Sequence, residues 1–166
     1  MNLKKFEEKD FQGVASLLAS FRAELAGFKG IHKEPNLERG ISELREYLEE
    51  CNKEKFFIYV AEHRKNIVGF LLCKVEEGVV WTEALYVSPE YRRNGVASLL
   101  FDKAESLAEE FHSETLYNWV HPNNDKIIKF LEKKGYDVLN LIEVRKSRNG
   151  EINRNKINVN NHTFNY

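Results

Sequence analysis

Cysteine is scarce. Cys51 and Cys73 are the only two in 166 residues, too far apart for a paired metal motif, and two thiols do not make a disulfide framework. No metal site is expected, and a reduced cytoplasm fits this usage. Charge of one sign is also missing. The 25 Lys+Arg offset 26 Asp+Glu to a formal net charge of -1, leaving none of the overall pull that nucleic acid or an anionic membrane requires, so any basic site must be local. No stretch approaches the roughly 20 apolar residues of a membrane span. The start, Met1 to Asp10, has no apolar signal region. The expectation is a soluble, unexported, cytoplasmic protein. Neither a Gly-x-x-x-x-Gly-Lys-Ser/Thr run nor Gly-x-Gly-x-x-Gly after an early strand occurs, which excludes the common nucleotide-binding loops.

What the chain does have is enough apolar material, 42% with 12% aromatic, for one substantial core. After a strand-like Leu3 to Phe6, Phe11, Val14, Leu17, Leu18, Phe21 and Leu25 recur at helical spacing behind Asp10 as a cap. Gly27, Gly30 and Pro35 punctuate a connection, and Leu37, Ile41, Leu44 and Leu48 predict a second helix ending near Cys51 or Asn52. Phe56 to Ala61 and Ile67 to Cys73, joined by the charged turn His63 to Asn66, predict a hairpin of buried strands. In the next strand, Val79 to Val87, one apolar face carries Val79, Trp81, Leu85 and Val87, with Glu83 the only charge among them.

A helix from about Gly95 to Phe111 carries Val96, Leu99, Leu100, Ala104, Leu107, Ala108 and Phe111 on one stripe. Thr115 to Val120 predicts a strand, and Ile127, Ile128, Phe130 and Leu131 a short helix stopped at Gly135. Tyr136 to Lys146 is again strand-like, and the Asn-rich remainder predicts a mobile or partner-binding tail. The domain expected is 1–147, with the tail at 148–166. Hairpins combined with one strand-helix-strand crossover predict an α/β (α+β) fold with a mixed sheet.

One loop carries chemistry. Arg92-Arg93-Asn94-Gly95-Val96-Ala97 follows a strand and opens a helix, where successive backbone N–H groups have no intrahelical partner and anions bind. Gly95 removes a Cβ where a phosphate would approach, Ala97 stays small, and Arg92 and Arg93 add positive charge. The alternative is an ordinary strand-to-helix turn with solvated arginines.

The longer run Leu85-Tyr86-Val87-Ser88-Pro89-Glu90-Tyr91-Arg92-Arg93-Asn94-Gly95-Val96-Ala97-Ser98-Leu99-Leu100 resembles the acetyl-CoA-binding motif of the GNAT superfamily of N-acetyltransferases. The superfamily's Arg/Gln-x-x-Gly-x-Gly/Ala core matches Arg92, Gly95 and Ala97, and its lead-in matches Val87, Pro89, Tyr91 and Arg92. A second block, Asn124, Ile127, Phe130, Leu131, Gly135 and Tyr136, looks like the family's Asn-x-x-Ala-x-x-Phe-Tyr-x-x-x-Gly-Phe segment. The resemblance implies a largely antiparallel sheet of about six to seven strands flanked by about four helices. It implies acetyl-CoA as co-substrate, its pyrophosphate on Arg92, Arg93, Asn94, Gly95, Val96, Ala97 and Ser98. The pantetheine arm would run beside Leu85, Tyr86 and Val87 in a slot between two splayed strands. Asn124 would contact the pantetheine or cap the next helix, and Phe130 would pack against the cofactor.

Such chemistry needs a base, because an amine of pKa about 10.4 is neutral at pH 7 in only about one molecule in a few thousand. Glu83 is the candidate, the alternatives being a structural ion pair or binding of the substrate's charge. The position where the family often has a thiolate-protonating Tyr holds Leu131; Tyr136, Tyr117 and His121 are possible substitutes. A backbone N–H near Val87 would meet the oxyanion. The site of the acceptor, a small molecule or a protein amine, would be shaped by Phe28, His32, Glu34, Tyr47 and the C-terminal strands, a core role being the alternative for Phe28 and Tyr47, and edge-strand pairing suggests a homodimer. Two rivals stand beside this: an acyl-CoA-binding regulatory module with little turnover, and nucleic-acid binding through Arg92, Arg93, Arg145, Lys146 and Arg148, which would demand steep salt dependence.

Overall fold

Four antiparallel strands in sequence order, then one parallel strand reached through a helix, make the main sheet of this computed structural model. The elements are β1 (Asn2–Lys5), α1 (Phe11–Phe28), α2 (Leu37–Cys51), β2 (Phe56–His63), β3 (Asn66–Glu76), β4 (Val79–Val87), α3 (Val96–Glu110), β5 (Leu116–Asn118) and α4 (Asp125–Lys133). The sheet order is β1-β2-β3-β4-β5, and only β4 and β5 are parallel, as expected where α3 supplies the crossover. The structure describes residues 1–51, 55–147, 149–150 and 155–165. Asn52 and Arg148, both named above, lie outside them. Among the described residues no helix is long and apolar enough to cross a membrane.

Two tight hairpins set the register. Arg64 and Lys65 (φ 49 and 68) join β2 to β3, and Glu77 and Gly78 (φ 52 and 79) join β3 to β4. Two-residue turns with both φ positive match the twist of the strands they connect. Cross-strand rows then sort the two faces. Ile58, Leu72 and Ala84 form one row and Val60, Phe70 and Tyr86 the next, packed in one cluster with Val14, Leu17 and Leu18 of α1 and Leu44 of α2. Asp10 does not cap α1: its carboxylate accepts from the Glu7 amide at 3.0 Å and Lys4 at 2.8 Å. Helices α1 and α2 approach closely at Gly40, where an added Cβ would lie 2.3 Å from the Ala15 carbonyl.

The opposite face belongs to α3. Phe57 meets Phe111 edge-on at 5.5 Å, and a Cβ on Gly69 would touch Leu100. Val96, Leu100, Ala104, Leu107 and Ala108 are buried as the periodicity predicts, but Leu99 is 45% exposed and Phe101 takes the core position, edge-on to Phe130 at 5.4 Å.

The apolar face expected for β4 is corrected. Val80, Thr82, Ala84, Tyr86 and Val87 are the buried residues, whereas Val79, Trp81 and Leu85 are half-buried. The cause is a β-bulge: Leu72 pairs with Ala84 but Cys73 with Thr82, which leaves Glu83 as the extra residue. Before the bulge, Trp81 shares a row with Phe56 on the α1/α2 side; beyond it, Ala84 and Tyr86 take that side. A bulge shifts alternation by one, so no single parity describes the strand.

Contacts divide the described chain into Met1–Phe130 and Leu131–Tyr166. In the second unit, α4 ends in a Schellman arrangement: the Tyr136 amide donates to Leu131 at 3.0 Å, the Gly135 amide to Glu132 at 3.0 Å, and Gly135 has φ 88. The strand expected from Tyr136 to Lys146 is not formed, and Val138, Leu139, Leu141, Ile142 and Val144 are exposed. The tail, expected to be mobile or partner-binding, carries a hairpin of β6 (Lys156–Val159) and β7 (His162–Asn165), turned at Asn160 with φ 51, a conformation Asn tolerates. Among the described residues the main sheet thus has five strands, not six to seven, with two more in a separate hairpin; the mixed, largely antiparallel sheet and the four helices are as the resemblance implies.

Candidate active site

The sheet opens between β4 and β5. Pairing stops after Val80↔Leu116, Trp81↔Tyr117 and Thr82↔Asn118, while β4 runs on to Val87. No described strand pairs with that edge from Glu83 onward. On the other side, the Ser88 amide donates to Val68 at 2.9 Å. The antiparallel alternation therefore gives Phe70/Tyr86 and Leu72/Ala84 to the ladder and turns the N–H and C=O of Leu85 and Val87 toward the open edge. A chain laid there finds backbone partners already aligned.

Beyond Val87 the backbone makes a 3-10 turn, Pro89–Tyr91, with the Tyr91 amide on Ser88 at 2.9 Å. Arg93 (φ 65) and Gly95 (φ 77) are both left-handed. An added Cβ on Gly95 meets nothing within 4 Å, so glycine here serves the backbone angle and leaves the approach to α3 clear. The first bond of α3 runs from the Leu99 amide to Gly95 at 3.0 Å, and no side chain caps the helix. The amides of Val96, Ala97 and Ser98 thus have no carbonyl one turn earlier, and the positive end of the helix dipole adds to them. Val96's side chain is buried.

Arg92 points elsewhere. Its guanidinium grips Glu24 of α1 at 2.6 and 3.2 Å, its Nε donates to the Val87 carbonyl at 2.8 Å, and it lies 5.1 Å over the Tyr86 ring. Of the two arginines, only Arg93 carries its charge exposed at the loop. Asn94 donates to the Arg92 carbonyl at 3.2 Å, bracing the turn.

Glu83, at the bulge, is half-buried and has no hydrogen bond or ion pair among the described residues. Burial pushes its carboxyl up, Lys74 and then Arg22 pull it back, and Glu76 adds a smaller upward push. Arg22, one of its electrostatic neighbours, lies on α1. There Arg22 binds Glu43 through Nε at 2.7 Å and Tyr47 at 2.9 Å, and Tyr47 donates to Glu43 at 3.1 Å. Tyr47 is pushed up to about 12, chiefly by burial, which keeps it a phenol. Trp81 stacks on Tyr117 at 4.7 Å and meets Trp119 edge-on at 5.4 Å.

Asn124 serves as a cap: its Oδ1 accepts from the Ile127 amide at 3.3 Å. Phe130 is half-buried against Phe101. Phe28 stacks on His121 at 6.1 Å and its carbonyl accepts from Asn123 at 2.8 Å, tying the end of α1 to the β5–α4 loop. Burial lowers His121, with Lys29 adding to the effect. His32 and Glu34 are exposed. The structure therefore strings Glu83, Leu85 and Val87 along the open edge of β4, which leads into the Arg93 to Ser98 loop. Glu24, Arg22 and Glu43 escaped the sequence reading. Each is a charge on the shoulder of an amphipathic helix, indistinguishable by spacing from a solvated one.

The model of the acetyltransferase (GNAT) family matches residues 21–136. The catalytic subunit NAA20 of the N-terminal acetyltransferase B complex of Arabidopsis thaliana is 34% identical over 86 residues, 48% of this chain and 49% of that protein. The chain thus matches about half the length of that curated relative. The solved structure of the PaiA N-acetyltransferase of Thermoplasma acidophilum in complex with coenzyme A is 18% identical with a TM-score of 0.67, covering 80% of this chain and 87% of that one. The apo aminoglycoside 6'-N-acetyltransferase AAC(6')-IG of Acinetobacter haemolyticus is 18% identical with a TM-score of 0.63, covering 89% and 97%. At such identities the likeness of structures is one of fold.

Proposed function

Because the chain belongs to the acetyltransferase (GNAT) family, we propose that it is an N-acetyltransferase that passes the acetyl group of acetyl-CoA directly to a primary amine. The observation that carries this is the open β4 edge running into the uncapped start of α3. A thioester arm and a diphosphate in series need that arrangement: aligned backbone partners for the arm, then free amides at a positive helix end. In this reading the Val96, Ala97 and Ser98 amides hold the pyrophosphate with Arg93 beside it, Arg92 and Asn94 shape the loop, and Leu85, Tyr86 and Val87 flank the pantetheine. Asn124 and Phe130 support that wall, and 1–147 is the catalytic domain.

The reaction then needs few side chains. Glu83 takes a proton from the ammonium, directly or through water, and the neutral nitrogen attacks the thioester carbonyl. An outward N–H of Leu85 or Val87 stabilises the oxyanion. The N–C bond forms, the attacking nitrogen gives up its second proton to solvent or to the leaving sulfur, the C–S bond breaks, and the products are the neutral amide and CoA, whose departure as a thiolate a thiol pKa near 8.5 permits without an acid at Leu131. Two of the three N-acetyltransferases above act on different acceptors by their names, an N-terminus and an aminoglycoside, so the fold does not choose between them. Purified protein incubated with acetyl-CoA and a panel of amines should release CoA thiol with an acceptor-dependent rate. Tight CoA binding with no turnover on any amine would instead favour a binding module.

A further inference from the structure

The motif points Arg92 at the pyrophosphate, yet its side chain is engaged within the protein on three sides: Glu24, the Val87 carbonyl and the Tyr86 ring. Glu24 sits on α1, a helix anchored to the sheet by Val14, Leu17 and Leu18. The loop that follows Arg92 contains two left-handed residues, Arg93 and Gly95, a conformation that persists when its surroundings restrain it. Arg92 itself is extended (φ -67, ψ 158), so a fixed side chain there fixes the chain's exit toward Gly95. The same side chain takes up the Val87 carbonyl, leaving the Val87 N–H as the outward group at the end of β4.

We propose that Glu24 is a positioning residue for the cofactor loop: through Arg92 it holds the end of β4 and the start of α3 in the arrangement that presents the Val96, Ala97 and Ser98 amides. The proposal rests on the acetyl-CoA reading above. It has a rival of opposite sign. If Arg92 were a direct phosphate ligand, Glu24 would compete for it, and removing the carboxylate would tighten CoA binding.

Calorimetric titration of CoA into the wild type, Glu24→Gln, Arg92→Gln and the double variant separates them. Expected is a loss of about tenfold in affinity for each single variant, equivalent to about 1.4 kcal/mol. The double variant should be no weaker than Arg92→Gln alone, because both act through one contact. Arg92→Lys should not restore binding, since an ammonium lacks the two-pronged fork. In kinetics the Glu24→Gln effect should fall on KM for acetyl-CoA and not on KM for the amine. Without CoA, exchange of the hydrogen-bonded amides that bracket the loop, Arg92 on Pro89 and Leu99 on Gly95, should speed up in Glu24→Gln. Unchanged or tighter CoA affinity in Glu24→Gln, or unchanged exchange, overturns the proposal. A wild type that binds no CoA at all would instead overturn the acetyltransferase reading, with the exchange comparison still deciding whether Glu24 orders the loop.

Discussion

Glu83→Gln removes a proton acceptor at nearly constant side-chain volume, at a bulge residue that pairs with nothing on β3. A positioned base typically contributes about 10²–10⁴-fold, and an alkylamine of pKa about 10.4 has a neutral fraction of about one in a few thousand at pH 7. The variant should therefore lose at least about 10²-fold in kcat with the Kd for CoA unchanged, because the loop from Arg92 to Ser98 is untouched. Burial raises the Glu83 carboxyl while Lys74 and Arg22 limit the rise. The wild-type rate should then climb with pH through a value raised from that of an ordinary glutamate, and that limb should vanish in the variant. Stability moves the other way. A raised folded-state pKa stabilises the fold where the group is neutral, at acidic pH, and that contribution is lost as pH rises through the folded value. At pH 7 the half-buried carboxylate costs the fold, so Glu83→Gln should melt higher than wild type at pH 7 and equally at acidic pH. Unchanged kcat, or a Tm that falls at pH 7, would refute the assignment of Glu83 as an unpaired base.

Gly95→Asp places a negative charge at the start of α3, where it suits the helix dipole but repels a diphosphate; circular dichroism should show the fold kept, and calorimetry CoA binding lost. Gly40→Ala would set a Cβ 2.3 Å from the Ala15 carbonyl, and forcing α1 from α2 should cost about 1–3 kcal/mol in urea unfolding. Asn124→Ala deletes the cap on Ile127 and should cost about 1 kcal/mol with CoA affinity unchanged, whereas a drop in affinity would show that Asn124 also touches the cofactor.

Legibility followed the range of the interaction. The helices at Phe11–Phe28 and Leu37–Cys51 and the hairpin strands are written in spacings of two to four residues, which local sequence carries. The strand expected from Tyr136 to Lys146 has the same apolar content, but a strand exists only with a partner, and none forms there. Leu99 and Phe101 differ in burial because at about 3.6 residues per turn Phe101 falls on the arc of Leu100, Ala104 and Ala108 and Leu99 does not.

The sequence by itself determined the loop proposed for the cofactor: Pro89, Gly95 and the small Ala97 specify a strand-turn-helix whose first amides have no intrahelical partner. Tertiary structure decided the rest of the site. Pairing with β3 made Glu83 a bulge residue and split β4 between two faces; the early end of β5 opened the edge of Leu85 and Val87; and α1, packed across the sheet, brought Glu24 to Arg92, 68 residues away. Local backbone geometry is encoded by neighbours in the chain, whereas a register, an open edge and a long-range ion pair exist only once separate elements have packed.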